Sequence, residues 1–471
     1  MRLFVGLIAA FPLALAAQTQ QSALRPEQQL AHDIYKELIE INTADSVGNT
    51  TTAANAVAKR FRDAGFPDAD IFEGGPRPDK GNLIVRYHGN GTSGRKPLML
   101  LAHLDVVQAL KSDWSADLDP FKFTERDGYY YGRGTSDDKA MASIFIANLL
   151  RFKKEGYVPD RDLVLVLTAD EEGGPANGVR WLIANHRDKI DAEYALNEGG
   201  GGSLRDDKPF INSVGAAEKV STNFTVTTTN RGGHSSVPRD DNAIYELSQA
   251  LVNIGKYQFP VMLNEVTRAF FTGTAKIETS AMASAMRAIV ANPNDAKASA
   301  TISADPRYRS MLRTTCVATM LNGGHARNAL PQTATANVNC RMAPGHDPEQ
   351  VRAALLKAAN DTGVTISKAP AMEHASPSPL SPEIMKPIEK VTRDVFGPNV
   401  LVIPTMGTGA TDSKYLRAAG IPGYGVSGLM GDPNDARAHG KDERVLIKSY
   451  YESQDFLYRL VKELSSGKIV P

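Results

Sequence analysis

The sequence predicts an α/β protein built on a mainly parallel sheet and interrupted by a ferredoxin-like α+β domain. Three observations predict it. Four short apolar runs, NLIVRYH, PLMLLAH, DLVLVLT and AEYALNE, alternate with helical segments before residue 215. Continuous apolar strands belong to sheets covered on both faces, as parallel sheets are. Near Gly215 the texture changes: KVSTNFTVTTT alternates apolar and polar residues, the mark of a strand with one wet face. The last hundred residues return to α/β texture, so the second domain is inserted into the first.

Taken in order, residues 1–17 carry one basic residue, Arg2, an apolar stretch and small residues at Ala14, Ala16 and Ala17. This is the pattern of a secretory signal peptide, too short and too interrupted by Pro12 for a membrane span. The mature protein is therefore expected to be periplasmic or secreted, with no membrane attachment. Residues 18–214 form the first part of the larger domain, opening with helical spacing at 27–41 and 52–64. Residues 215–372 form the inserted domain: a strand at 219–229, a helix at 242–257, two strands around Cys316 and Cys340, a helix at 347–360 and a strand at 364–369. With the stretch 258–313 set aside, that order is β-α-β-β-α-β, a ferredoxin-like unit. Within that stretch, the Ala/Asp/Ser/Pro-rich residues 291–305 read as an irregular, mobile connection. Residues 373–471 complete the first domain.

Composition narrows the function. The chain has 471 residues, 42% hydrophobic and 23% charged, with 53 basic against 53 acidic side chains. These are the proportions of an ordinary folded protein. A net charge of zero, with no Lys/Arg-rich run, removes the field a nucleic-acid binder uses, so no nucleic-acid partner is expected. Two cysteines exclude a thiolate zinc site and a disulfide scaffold. Their strand-like segments, TTCVATML and TANVNCRM, are joined by a short connection, which would let Cys316 and Cys340 face each other across a hairpin in an oxidising compartment.

Chemistry concentrates at strand ends, where open parallel sheets place their ligand sites. PLMLLA runs into His103-Leu104-Asp105, DLVLVLTA into Asp170-Glu171-Glu172, and AEYALN into Glu198. Asp137 and Asp138 follow a Gly-rich turn, and His439 lies beyond the strand GIPGYGV. Imidazole and carboxylate without thiolate suit zinc or a similar divalent ion. Asp105, two residues from His103 on one strand, would share its face and hold the imidazole in the ligating tautomer. Adjacent Glu171 and Glu172 point different ways, so one can bind metal while the other acts on a water. Gly423, Gly425 and Gly428 match G-x-G-x-x-G, but no helix-forming residues follow, so dinucleotide binding is not expected.

Seven segments then carry a family resemblance: HLD at 103–105, YGRGTSDDK at 131–139, DEEGG at 170–174, NEGG at 197–200, RGGHSSVP at 231–238, NALP at 328–331 and AHGKDE at 438–443. In type and order they resemble the co-catalytic di-zinc family of aminoacylase, glutamate carboxypeptidase and the dipeptidases, nearest the yeast carboxypeptidase S branch. The resemblance implies a catalytic α/β domain with an inserted lid, and two zinc ions per subunit, with cobalt or manganese as alternatives. It assigns one metal to His103 and Glu198, the other to Glu172 and His439, with Asp137 bridging. It makes Asp105 the residue that orients His103, and Glu171 the general base. Two divalent cations against three carboxylates leave one positive charge, which a bridging hydroxide would neutralise.

In the lid, the resemblance gives His234 an oxyanion-stabilising role, sometimes served by the partner subunit, and makes Asn328 and Arg341 substrate contacts. Gly409, in MGTGATDS, matches the family's Gly-rich substrate loop. A guanidinium can grip a free carboxylate with two parallel hydrogen bonds. The expected function is hydrolysis of an amide bond beside a free carboxylate, as a carboxypeptidase or dipeptidase. An N-acyl-amino-acid deacylase is the alternative, and a non-catalytic peptide-capturing protein is the reading of a different class. Strand 219–229 would be a lid edge through which two copies could pair, unless the stretch 258–313 covers it.

Overall fold

A computed structural model describes residues 23–368 and 375–466; residues 1–17 and the expected boundary at 372–373 lie outside them. Four parallel strands, Leu163–Thr168, Leu98–His103, Tyr194–Asn197 and Gly423–Gly425, lie side by side at the heart of a ten-stranded sheet. Its flanks are mixed. Asn82–Tyr87 and Ile71–Gly74 add antiparallel on one side, and Lys208–Glu218 on the other, itself paired in parallel with Leu401–Gly407. Leu98–His103 and Leu163–Thr168 are buried at every residue. Alternate side chains feed two layers: Leu98, Leu100 and Ala102 enter one hydrophobic cluster, Met99 and Leu101 the other.

Helices explain the burial. Pro26–Glu40 buries Ala31, Ile34, Tyr35 and Leu38, the spacing of one helical face. It packs with Lys139–Glu155 and Ile447–Leu464 in the larger cluster. Lys139–Glu155 is buried almost all round and stops at Gly156, whose φ of 66° makes it a left-handed cap. On the opposite face Gly178–Asn185 and Ser413–Ala418 contribute Val179, Leu182 and Leu416.

The inserted unit is the expected β-α-β-β-α-β, with strands Val220–Thr229, Thr315–Gly323, Thr333–Met342 and Val364–Lys368 and helices Ala243–Lys256 and Pro348–Ala359. The structure corrects the sequence reading at three places. The expected boundary at residue 215 falls inside the strand Lys208–Glu218, which stays in the large sheet; only Lys219 separates it from the first lid strand. Val220–Thr229 is not an edge, because Thr333–Met342 and Val364–Lys368 pair with its two sides. One edge is instead Thr315–Gly323, where Val317, Met320 and Leu321 are exposed.

The third correction concerns residues 291–305, which are not an irregular connection, and the stretch 258–313 around them, which packs on the sheet domain, with Phe259 alone of its buried apolar residues entering the lid cluster. Helices Glu265–Thr274, Ser280–Ala291, Ala296–Ser303 and Pro306–Leu312 send Val266, Phe271, Met286, Ile289, Ile302 and Leu312 into the larger core cluster of the sheet domain. The residues that read as breakers are caps. Asp295 accepts from the Ala298 N–H, and Asp305 accepts from the Arg307 N–H ahead of a helix that begins with Pro306. Cys316 lies directly opposite Cys340 in the lid sheet and is bonded to it.

Candidate metal centre

The strand ends and loops converge as the apolar runs predict. His103 closes its strand, is almost wholly buried, and sits with Nδ1 2.9 Å from the Asp105 carbonyl oxygen. A carbonyl can only accept, so in the neutral ring Nδ1 carries the proton and Nε2 keeps a lone pair for a ligand. That Nε2 faces Asp137 Oδ1 at 3.0 Å and Glu198 Oε1 at 3.8 Å. His439 Nε2 faces Asp137 Oδ2 at 3.1 Å and Glu172 Oε1 at 2.9 Å. Asp137 thus offers one oxygen to each histidine, and the peptide bond that follows it is cis.

These distances fit two shared cations. Two donors about 2.1 Å from one tetrahedral ion stand about 3.4 Å apart, and the four observed separations bracket that value. The donors form two groups, His103, Asp137 and Glu198, and Asp137, Glu172 and His439, each within 4.8 Å. Among the described residues no other His, Asp, Glu and Cys cluster meets this standard. All five expected ligands are therefore brought together.

The electrostatics are those of a site crowded with carboxylates. Burial pushes Glu171 up to about 8 and Glu172 up to about 7, and raises Glu198 as well. Burial also opposes ionisation of Asp137, but hydrogen bonds from His103 and His439 outweigh it and hold that carboxyl below its usual range. The hydrogen bond to Asp137 is the main reason His439 rises to about 9. Divalent cations would relieve this repulsion by taking the place of the protons.

Asp105 does not play its part as expected. Its carboxylate stands 3.7 Å from His103 Nδ1 and accepts instead from the backbone N–H groups of Glu171 and Glu172, at 3.1 and 3.0 Å. The residue orients His103 through its carbonyl and anchors the glutamate pair through its side chain. Glu171 itself differs from its neighbour. Glu172 engages His439, whereas the Glu171 carboxylate has no hydrogen-bond partner among the described residues.

Glu171 and Glu172 line a cleft of about 300 Å³ shared by the two domains, with Arg341, Ser221 and Lys219 from the lid side and Gly409 and Ala410 from the loop 406–413. Arg341 lies on Thr333–Met342 opposite Ser221; it is half-buried and has no hydrogen-bond or ion-pair partner among the described residues. Gly409 forms cleft wall with open space where a side chain would be, so no steric demand explains its glycine. His234 and Asn328 are elsewhere. Gly233–His234 pairs with Ala329–Leu330 in a small exposed ribbon, where His234 Nδ1 accepts from Ser236 and neither residue lines the cleft.

One support was invisible to sequence reading. Lys80, almost wholly buried, donates to Asp170 Oδ1 at 2.5 Å and to Asp45 at 2.5 Å. Asp170, at a left-handed φ of 62°, also accepts from the Ala176 N–H, so this ion pair holds the turn that presents Glu171 and Glu172. Sequence alone has no signal for a pair whose members are 90 residues apart.

Residues 99–463 match the family described as Peptidase family M20/M25/M40. A protein named "Probable carboxypeptidase S-like 2" from Dictyostelium discoideum is 30% identical over 394 residues, covering 81% of this chain and 74% of its own. The "N-fatty-acyl-amino acid synthase/hydrolase PM20D1" of Homo sapiens is 27% identical, covering 79% and 75%. The crystal structure of the M20 family metallo-carboxypeptidase Sso-CP2 from Sulfolobus solfataricus superposes with a TM-score of 0.68 at 18% identity, over 94% of this chain and 99% of that one.

Proposed function

The chain belongs to Peptidase family M20/M25/M40, whose members are metal-dependent hydrolases of amide bonds, and from that premise we propose that it cleaves an amide bond adjacent to a free carboxylate, as a carboxypeptidase or dipeptidase. One observation carries the reading: the Glu171 carboxylate and the Arg341 guanidinium, both without a hydrogen-bond partner among the described residues, line the same cleft, beside the metal-ligand group of Glu172.

His103, Glu198, Asp137, Glu172 and His439 would hold two divalent ions, with zinc the choice best suited to imidazole and carboxylate donors. Ions bound there would polarise the scissile carbonyl and make a water acidic enough to attack near neutral pH. Glu171, whose ionised form nearby cations would favour against the effect of burial, would accept the attacking water's proton and deliver it to the leaving nitrogen, a task open only to a carboxylate that is not a ligand. Arg341 binds the substrate's carboxylate and sets which bond faces Glu171. His234 and Asn328 would reach the substrate only through lid closure or from a second copy.

A homodimer through the lid belongs to the same reading and is supported by the exposed apolar side chains along Thr315–Gly323. So does a periplasmic or secreted location, supported by the Cys316–Cys340 bond, since disulfides persist in oxidising compartments. Among the described residues no helix is long and apolar enough to cross a membrane. The name of the human relative favours a second reading, hydrolysis of N-acyl amino acids, in which the same arginine holds the amino-acid carboxylate. The test is hydrolysis of a dipeptide and an N-acyl amino acid, each beside its carboxyl-terminal amide. Loss of turnover in the amides supports the carboxylate requirement, and equal turnover would contradict it.

A further inference from the structure

A buried ion pair lies behind the second ligand group. Arg133 and Glu443 are 3% and 0% exposed, and Arg133 Nη1 donates to Glu443 Oε2 at 2.6 Å. Glu443 gathers the turn that carries Asp137: its carboxylate accepts from the N–H groups of Gly134 at 3.1 Å, Ser136 at 2.8 Å and Asp137 at 3.2 Å, and from Ser136 Oγ at 2.9 Å. Arg133 gathers the other side: its Nη2 donates to the carbonyls of His439 and Gly440 at 3.4 and 3.1 Å. One salt bridge therefore holds the backbone N–H of the bridging aspartate and the backbone carbonyl of the distal histidine.

The backbone shows the same coupling independently. Tyr129–Tyr131, just before the Asp137 turn, pairs with Arg444–Leu446, just after Glu443, in a three-stranded ribbon, and the Gly132 N–H donates to the Glu443 carbonyl at 3.2 Å. Two segments three hundred residues apart in sequence meet here, and of the first group the pair holds only the shared Asp137 among the described residues. His439 needs such a tether. It is not on a strand or helix, its φ is 62°, and its side chain is 51% exposed.

We infer that Arg133 and Glu443 are positioning residues for the second metal, the one assigned to Asp137, Glu172 and His439, fixing the spacing of two ligands contributed by distant parts of the chain. This rests on the two-metal reading above. Residues that orient ligands from behind typically change metal affinity by about 10–100-fold.

The test is a cobalt titration of the metal-free full chain, following the visible spectrum and the bound ion per chain, for the unaltered protein, Glu443→Gln and the double variant Arg133→Met with Glu443→Met. A thermal melt of each metal-free variant checks folding, because methionine at 443 cannot accept from the Gly134, Ser136 and Asp137 N–H groups whereas the amide oxygen of Glu443→Gln can. The expected result is two ions in the unaltered protein, with the second ion's affinity falling at least tenfold more than the first's in either variant. Equal affinities in variant and unaltered protein, or equal weakening of both ions, would overturn the inference. Fewer than two ions in the unaltered protein would instead strike at the two-metal reading itself.

Discussion

The two ligand groups share Asp137 but are built differently. His103 ends a fully buried strand, with its side chain 1% exposed and its ring fixed by a carbonyl two residues away. His439 sits in a loop, 51% exposed, and owes its place to an ion pair and a ribbon. The first group is thus a product of the sheet, and the second is assembled on it by loops. A sheet end costs little to order because the core has already ordered it, whereas a loop ligand keeps its geometry only while its supports hold. The second site should be the weaker and more variable of the two.

The largest effect should come from the residue that belongs to neither group. Glu171→Gln should lower kcat roughly a thousandfold while both metals stay bound, read by steady-state kinetics beside metal analysis of the same sample. Near-unaltered turnover would remove Glu171 from the chemistry. Two further variants separate the two ligand groups. His439→Ala should keep about one ion per chain through dialysis, whereas His103→Ala should lose both, because the better-ordered group anchors the shared Asp137. Equal retention by the two would erase the distinction between them.

A moderate effect is expected in the cleft. Arg341→Ala removes a charge-assisted contact of about 1.5–3 kcal/mol, so KM should rise about 10–150-fold with kcat little changed, and the carboxyl-terminal amide of the substrate should lose nothing further. A fall in kcat alone would mean that Arg341 acts on the reaction and not on binding.

The smallest effect sharpens the electrostatic contrast. In the metal-free protein Glu171 and Glu172 are raised from 4.5 to about 8 and about 7, so the folded state holds protons that the unfolded state releases. Stability then falls as pH rises from about 5 to 8, since the unfolded chain binds fewer protons over that range. Metal binding takes the place of the protons on Glu172 and Glu198, so the loaded protein should lose the share of this slope that the ligands contribute and weaken on acidification, as protons compete for the ligands. Thermal melts across pH, with and without metal, measure both slopes.

Much of this centre is legible in the sequence because apolar runs end abruptly in His103, Glu198 and the Asp170-Glu171-Glu172 triplet, and strand ends are where such sheets collect ligands. The supports are not legible. Lys80 with Asp170, and Arg133 with Glu443, are pairs made only by the fold; in sequence each is an ordinary charged residue. Asp105 shows the limit of spacing arguments, since it lies just beyond the strand that ends at His103 and meets the ring through its carbonyl and not its carboxylate. Residues 291–305 show that cap residues and loop residues are the same types, so Asp295, Asp305 and Pro306 could not announce helices by themselves. His234 keeps its motif but stands exposed in the lid, because domain placement is set by long-range packing that no local pattern records.

The most direct measurement is release of product from blocked dipeptides, free dipeptides and N-acyl amino acids by the purified protein, before chelation, after chelation and after zinc is restored. Turnover of at least one class bearing a free carboxylate is expected, with its loss on chelation and its recovery with added metal. Turnover indifferent to chelation, or none from any class while two metals remain bound, would contradict it.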